Sequence, residues 1–124
     1  MRALTFLARR FVAGETAAEA IEAVKKLNKR GLSASLDFLG EDTETEAQAN
    51  AAAEEYCRLL DAIHRARVDA NVSLKLTQFG LNLGPEIARR GLARVLAEAK
   101  KHGNFVRVDM EGAAWTAATL DLVL

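Results

Sequence analysis

Apolar positions along the chain switch between a helical period and a period of two, and the switches predict one helix followed by three strand–helix repeats. Ala17, Ala20, Ile21, Val24 and Leu27 recur at helical spacing, with Glu22, Lys25, Lys26 and Lys29 off the stripe. Thr16 and Glu19 have capping-box spacing, basic residues crowd the last turn, and Gly31 supplies the stop. From Leu32 to Leu39 the period becomes two: Leu32, Ala34, Leu36 and Phe38 on one face, Ser33, Ser35 and Asp37 on the other. After the short loop Gly40-Glu41-Asp42, the helical period returns from Thr43 or Thr45 to about Arg67, through Ala52, Tyr56, Leu59, Leu60 and Ile63.

The second strand runs from Asn71 to Thr77, with Val72, Leu74 and Leu76 opposite Ser73, Lys75 and Thr77. Gln78 to Gly84 reads as a loop with two glycines, and Pro85 opens a helix at a position its fixed φ suits. Ile87, Leu92, Val95, Leu96 and Ala99 line that helix, which His102-Gly103 end. In the third strand, Phe105 to Met110, Val106, Val108 and Met110 oppose Arg107 and Asp109. A last helix begins near Trp115-Thr116 and runs to Leu124.

Helices between successive strands are the crossover signature of a parallel sheet. A doubly wound sheet, covered on both sides, calls for two aliphatic faces, whereas each strand here has one aliphatic and one polar face. That contrast favours a (β/α)8 barrel, whose outward face meets the helices and whose inward face can be polar near the C-terminal mouth. Lys75 and Asp109 stand out as charges within apolar strands, a placement that costs several kcal/mol unless paired or facing a polar cavity. With Asp37 they fall in the polar phase, late in their strands, where a barrel carries its active site. A salt bridge from Lys75 to Asp109 or Asp37 is the bland explanation, and it is compatible with catalysis.

The 124 residues allow one domain spanning 1–124. A typical barrel has about 250 residues, and three parallel strands alone leave two open edges. The expectation is therefore an α/β fragment: about three strand–helix units from the N-terminal part of a distorted barrel, incomplete at the C-terminus.

Seventeen basic and seventeen acidic residues cancel, and no basic stripe points to nucleic acid. The single cysteine, Cys57, suits a reducing cytoplasm and reads as a small core or helix-surface residue. No stretch approaches the roughly 20 apolar residues of a membrane span. A cytoplasmic location is expected, with a weak, salt-sensitive membrane association left open by charge. His64 and His102 read as surface residues near helix ends, and Trp115 as a packing residue. Glu41, Asp42 and Glu111 are placed on solvated loop tips. A central lysine argues against a metal in the mouth, so no metal is expected. No Ser-His-Asp arrangement, Walker loop or Gly-x-Gly-x-x-Gly occurs.

Four stretches, in order, resemble the monofunctional bacterial proline dehydrogenases. They are Arg9-Arg10-Phe11-Val12-Ala13-Gly14-Glu15-Thr16, Leu36-Asp37-Phe38-Leu39-Gly40-Glu41, Val72-Ser73-Leu74-Lys75-Leu76-Thr77-Gln78-Phe79-Gly80-Leu81 and Val106-Arg107-Val108-Asp109-Met110-Glu111. The resemblance implies a flavoenzyme that oxidises L-proline to Δ1-pyrroline-5-carboxylate, with hydride transfer to FAD and electrons passing to a membrane quinone. It implies that Lys75 helps hold the substrate carboxylate, that Asp109 is the third-strand active-site aspartate, and that the Met110 main chain approaches the flavin. Asp37 matches a strand-end acid without a catalytic role. A cation suits a carboxylate substrate and a nearby anion orients it, while the flavin supplies the redox chemistry. The family's later strands, with most flavin contacts, and its last helix, with an arginine pair, have no counterpart before Leu124. The chain is thus expected to be inactive alone. A receiver-like signalling module and a half-barrel completed by another chain are the competing readings.

Overall fold

The computed structural model describes residues 17–38 and 43–109. The chain order is α1 (Ala17–Lys29), β1 (Ala34–Leu36), α2 (Glu46–Ala66), β2 (Ala70–Leu74), a 3-10 helix (Leu76–Phe79), α3 (Pro85–Lys101) and β3 (Val106–Val108). The strands form one parallel sheet in the order β1-β2-β3, with Leu36 opposite Val72 and Val72 opposite Val106.

Amphipathic stripes decide what is buried. Ile21, Val24 and Leu27 of α1, Ala53, Tyr56, Leu59, Leu60 and Ile63 of α2, and Ala88, Leu92, Val95 and Ala99 of α3 form one core with Ala34, Leu36, Val72 and Leu74 of the sheet. This is the predicted aliphatic side, except that Leu32 and Leu96, placed on it by the sequence pattern, are exposed at 50% and 46%. The alternate positions form a polar row, in which Asn71 Oδ1 accepts from Ser35 Oγ at 2.9 Å and Arg107 Nε at 3.2 Å. Those bonds satisfy the amide oxygen of an asparagine that is only 8% exposed.

Asparagines also fasten the strand beginnings. Asn28 Nδ2 donates to the Asp69 carbonyl while its Oδ1 accepts the Asp69 N–H, and Asn104 Nδ2 donates to the Ala70 carbonyl. Thr45 caps α2 in a reciprocal box with Gln48, and Pro85 opens α3.

Several boundaries differ from the sequence reading, most of all in the strands. β1 and β3 are three residues each and β2 ends at Leu74, so the 3-10 helix replaces the predicted strand end at Leu76-Thr77 and the start of the predicted loop. Thr77 is buried in that helix rather than standing on a polar strand face. The turn depends on close packing at two glycines. Gly80 has φ +88°, and a Cβ there would meet Ile87 Cγ2 at 2.9 Å; one at Gly91 would meet the Phe79 side chain at 3.1 Å. Thr16, Leu39, the predicted loop Gly40-Glu41-Asp42, Met110, Glu111, Trp115 and the predicted last helix lie outside the described residues.

Candidate active site

Asp37, Lys75 and Asp109 are each the first residue after a strand. The expectation that Lys75 and Asp109 lie inside strands is corrected: both sit just past the strand ends, half-buried. The ladder stops there because the backbone turns away, so neither charge is enclosed by sheet on both sides. Parallel pairing still brings the three positions to one end of the sheet, and Asp109 N–H extends it by donating to the Leu74 carbonyl at 2.8 Å. Asp37 is exposed.

Ser73 fixes Asp109. Its Oγ lies 2.8 Å from both carboxylate oxygens, sharing one proton between them. A carboxylate held in this way presents negative charge at the mouth without a rotamer search.

Beneath the acids lies a polar knot that the sequence reading did not single out. Tyr56 is fully buried. Its hydroxyl accepts the Phe38 N–H at 3.1 Å and lies 2.9 Å from the Ser73 carbonyl and 3.0 Å from Gln78 Oε1. Gln78, 3% exposed, donates from Nε2 to the Phe38 carbonyl at 2.7 Å and accepts the Lys75 N–H at 2.9 Å. Its own carbonyl accepts from Thr43 Oγ1 at 2.9 Å. Burial pushes the Tyr56 phenol up to about 12; the Phe38 and Gln78 hydrogen bonds pull the other way, and the charges of Asp37 and Asp109 push it further up. Two acids just past the ends of different strands thus act on one hydroxyl. The available signals were a tyrosine inside an otherwise aliphatic stripe and a glutamine three residues after a strand-end lysine.

The arrangement offers a cation and anions around a polar floor, which suits a small zwitterion with a carboxylate and an ammonium group. The proline dehydrogenase family model matches residues 20–124. The chain belongs to the proline dehydrogenase family. Proline dehydrogenase 1 of Bacillus subtilis subsp. natto is 43% identical over 115 residues, covering 93% of this chain and 38% of that protein. Proline dehydrogenase 1 of Bacillus subtilis strain 168 is 42% identical over the same shares. The chain therefore spans 38% of the length of these curated proline dehydrogenases.

A crystal structure of proline utilization A (PutA) from Bdellovibrio bacteriovorus, inactivated by N-propargylglycine, superposes with a TM-score of 0.79 at 24% identity, over 94% of this chain and 15% of that one. That likeness shows the fold: a parallel α/β arrangement consistent with part of a barrel. Among the described residues no helix is long and apolar enough to cross a membrane.

His102 departs from expectation. Its side chain is 7% exposed, because its ring packs on His64 with centroids 4.5 Å apart. The surface reading holds for His64 and is corrected for His102.

Proposed function

We propose that the chain is the N-terminal part of an FAD-dependent proline dehydrogenase, one domain over residues 1–124, whose strand-end mouth binds L-proline. The observation that carries this reading is a half-buried lysine and a half-buried, serine-held aspartate at the ends of adjacent parallel strands in a member of this family.

Lys75 takes the substrate carboxylate as a charge-assisted contact, and Asp109 orients that ammonium. Ser73 keeps Asp109 aimed, and the Tyr56–Gln78 knot sets where the backbone delivers Lys75. FAD, when bound, supplies the hydride acceptor that turns L-proline into Δ1-pyrroline-5-carboxylate, and a membrane quinone takes the electrons. The mouth residues fit a zwitterion, and the sequence has no glycine-rich phosphate loop. We therefore assign the Met110 main chain to the flavin's edge and most other flavin contacts to protein outside this chain. On this reading the chain alone is inactive, and the whole enzyme is cytoplasmic with peripheral contact at the inner membrane.

The test is a Bacillus subtilis proline dehydrogenase 1 in which this chain replaces the matching segment. Losing a charge-assisted bond costs about 1.5–3 kcal/mol, so Lys75→Ala is expected to raise the KM for L-proline about 10- to 100-fold. Asp109→Ala acts in the same direction, and both variants retain flavin. An unchanged KM, or loss of flavin, refutes the assigned roles. Turnover by the isolated 124-residue chain with L-proline and FAD refutes its inactivity.

A further inference from the structure

Helices in this fold run antiparallel to the strands they connect, so the last turns of α2 and α3 lie toward the strand beginnings, away from the mouth. Three ligating side chains converge there. His102 follows the end of α3, and its Nε2 is buried without a hydrogen-bond partner. This nitrogen lies 2.7 Å from Glu98 Oε2 and 3.6 Å from Asp61 Oδ1. The shorter approach falls outside hydrogen-bond geometry, so the imidazole lone pair or proton has no aligned partner. The three ligand atoms all lie within 4.8 Å of one another.

We propose that Asp61, Glu98 and His102 form a site for a divalent transition cation of the zinc class, on the outer side of the helical layer. One imidazole and two carboxylates match the borderline character of Zn²⁺, whereas Ca²⁺ and Mg²⁺ prefer shells made of oxygen. Ligand atoms about 2.0–2.2 Å from a tetrahedral centre stand roughly 3.4 Å apart. The His102–Asp61 separation already meets that spacing, and a small rotation of the Glu98 side chain opens the other.

Neighbouring groups orient the set. Arg65 Nε holds Asp61 Oδ2 at 2.9 Å, leaving Oδ1 toward His102. The stacked His64 ring limits rotation of the His102 plane. Lys101 Nζ, 3.7 Å from Glu98 Oε2, sits on an exposed side chain that swings away when a cation takes over that carboxylate. Beside the three ligands runs a cleft lined by Glu54, Cys57, Arg58 and Arg94, which leaves the fourth position of a three-ligand site open to water or a small anion.

Titration of the 124-residue chain with zinc chloride, against a chromophoric chelator, tests the site. Saturable 1:1 binding and a rise in Tm are expected, with no Tm rise from magnesium chloride at equal concentration. Asp61→Asn, Glu98→Gln and His102→Ala are each expected to weaken zinc binding by more than about tenfold, while Glu54→Gln in the same cleft leaves it unchanged. Circular dichroism checks each variant's fold, and the near-isosteric Asn and Gln variants decide the matter if His102→Ala does not fold. Absence of saturable binding, or unchanged affinity in both Asp61→Asn and Glu98→Gln, overturns the proposal. Loss of binding in Cys57→Ser overturns it too, by assigning the metal to the thiol.

Discussion

Tyr56→Phe removes one oxygen at the point where β1, β2 and the 3-10 helix meet. The Phe38 N–H loses its acceptor there, and the Ser73 carbonyl loses a donor, while Gln78 Oε1 keeps the Lys75 N–H. A net hydrogen bond is worth about 1 kcal/mol, and a donor left unpaired about 1–3 kcal/mol. The variant is therefore expected to lose about 2–3 kcal/mol at neutral pH, read as a lower urea midpoint at unchanged slope. The same hydroxyl makes an independent prediction. Burial raises its pKa from 10.0 to about 12, a preference for the neutral phenol of about 3 kcal/mol. Because the folded value is raised, this stabilisation is fully present below pH 10 and is lost as pH climbs through 12. Tyr56 is the single tyrosine in the chain, so phenolate absorbance in the near ultraviolet reports it alone. The folded chain should titrate near 12 and the urea-unfolded chain near 10, and Tyr56→Phe should lose less stability than wild type across that interval. A folded-state midpoint near 10, or a cost below about 0.5 kcal/mol at neutral pH, would refute the buried-knot account.

Two further outcomes test the surrounding packing. Gly80→Ala places a Cβ 2.9 Å from Ile87 Cγ2 at φ +88°, combining left-handed strain with overpacking, and should cost roughly 2–4 kcal/mol by urea unfolding. Repeating it in an Ile87→Ala background should recover only the steric part; full recovery would mean the backbone is unstrained. Burial raises the Cys57 thiol, with Arg94 opposing the shift and Glu98 and Glu54 adding to it. Alkylation at pH 7 should thus run slower than for a free cysteine peptide, and a faster rate would contradict that environment.

Helical stripes were legible because each core residue of α1, α2 and α3 recurs at one period, and the aliphatic strand positions followed for the same reason. Strand ends were not. Leu76 and Thr77 continue the alternation of β2, yet both turn into a 3-10 helix, because the Gln78 side chain captures the backbone N–H of Lys75 and is itself held from afar by Tyr56 and the Phe38 carbonyl. Alternation records which residues are apolar, and Leu76 is buried in either conformation. Family-specific words such as Lys75-Leu76-Thr77-Gln78 pointed to the mouth. Asp61 and the Glu98–His102 pair were hidden by distance: only the one-turn spacing of Glu98 and His102 is local, and nothing local brings Asp61 of α2 to them.

Gln78 and Tyr56 explain how a charge comes to stand at the end of β2 at all. An N–H at position 75 left to the ladder would prolong the strand, and the lysine would then alternate outward or inward with the pleat. Gln78 Oε1 instead accepts that N–H, Tyr56 abuts the same oxygen, and Nε2 of the amide ties the turn to the Phe38 carbonyl next to Asp37. One buried amide thus ends β2, starts the turn and couples the ends of β1 and β2. Ser73 then carries the coupling to Asp109 through its hydroxyl, while its carbonyl meets Tyr56. The residues with the least obvious chemistry set the position of those with the most. Substitution of Gln78 should accordingly disturb Lys75 and Asp37 together, whereas substitution of Lys75 leaves the knot in place.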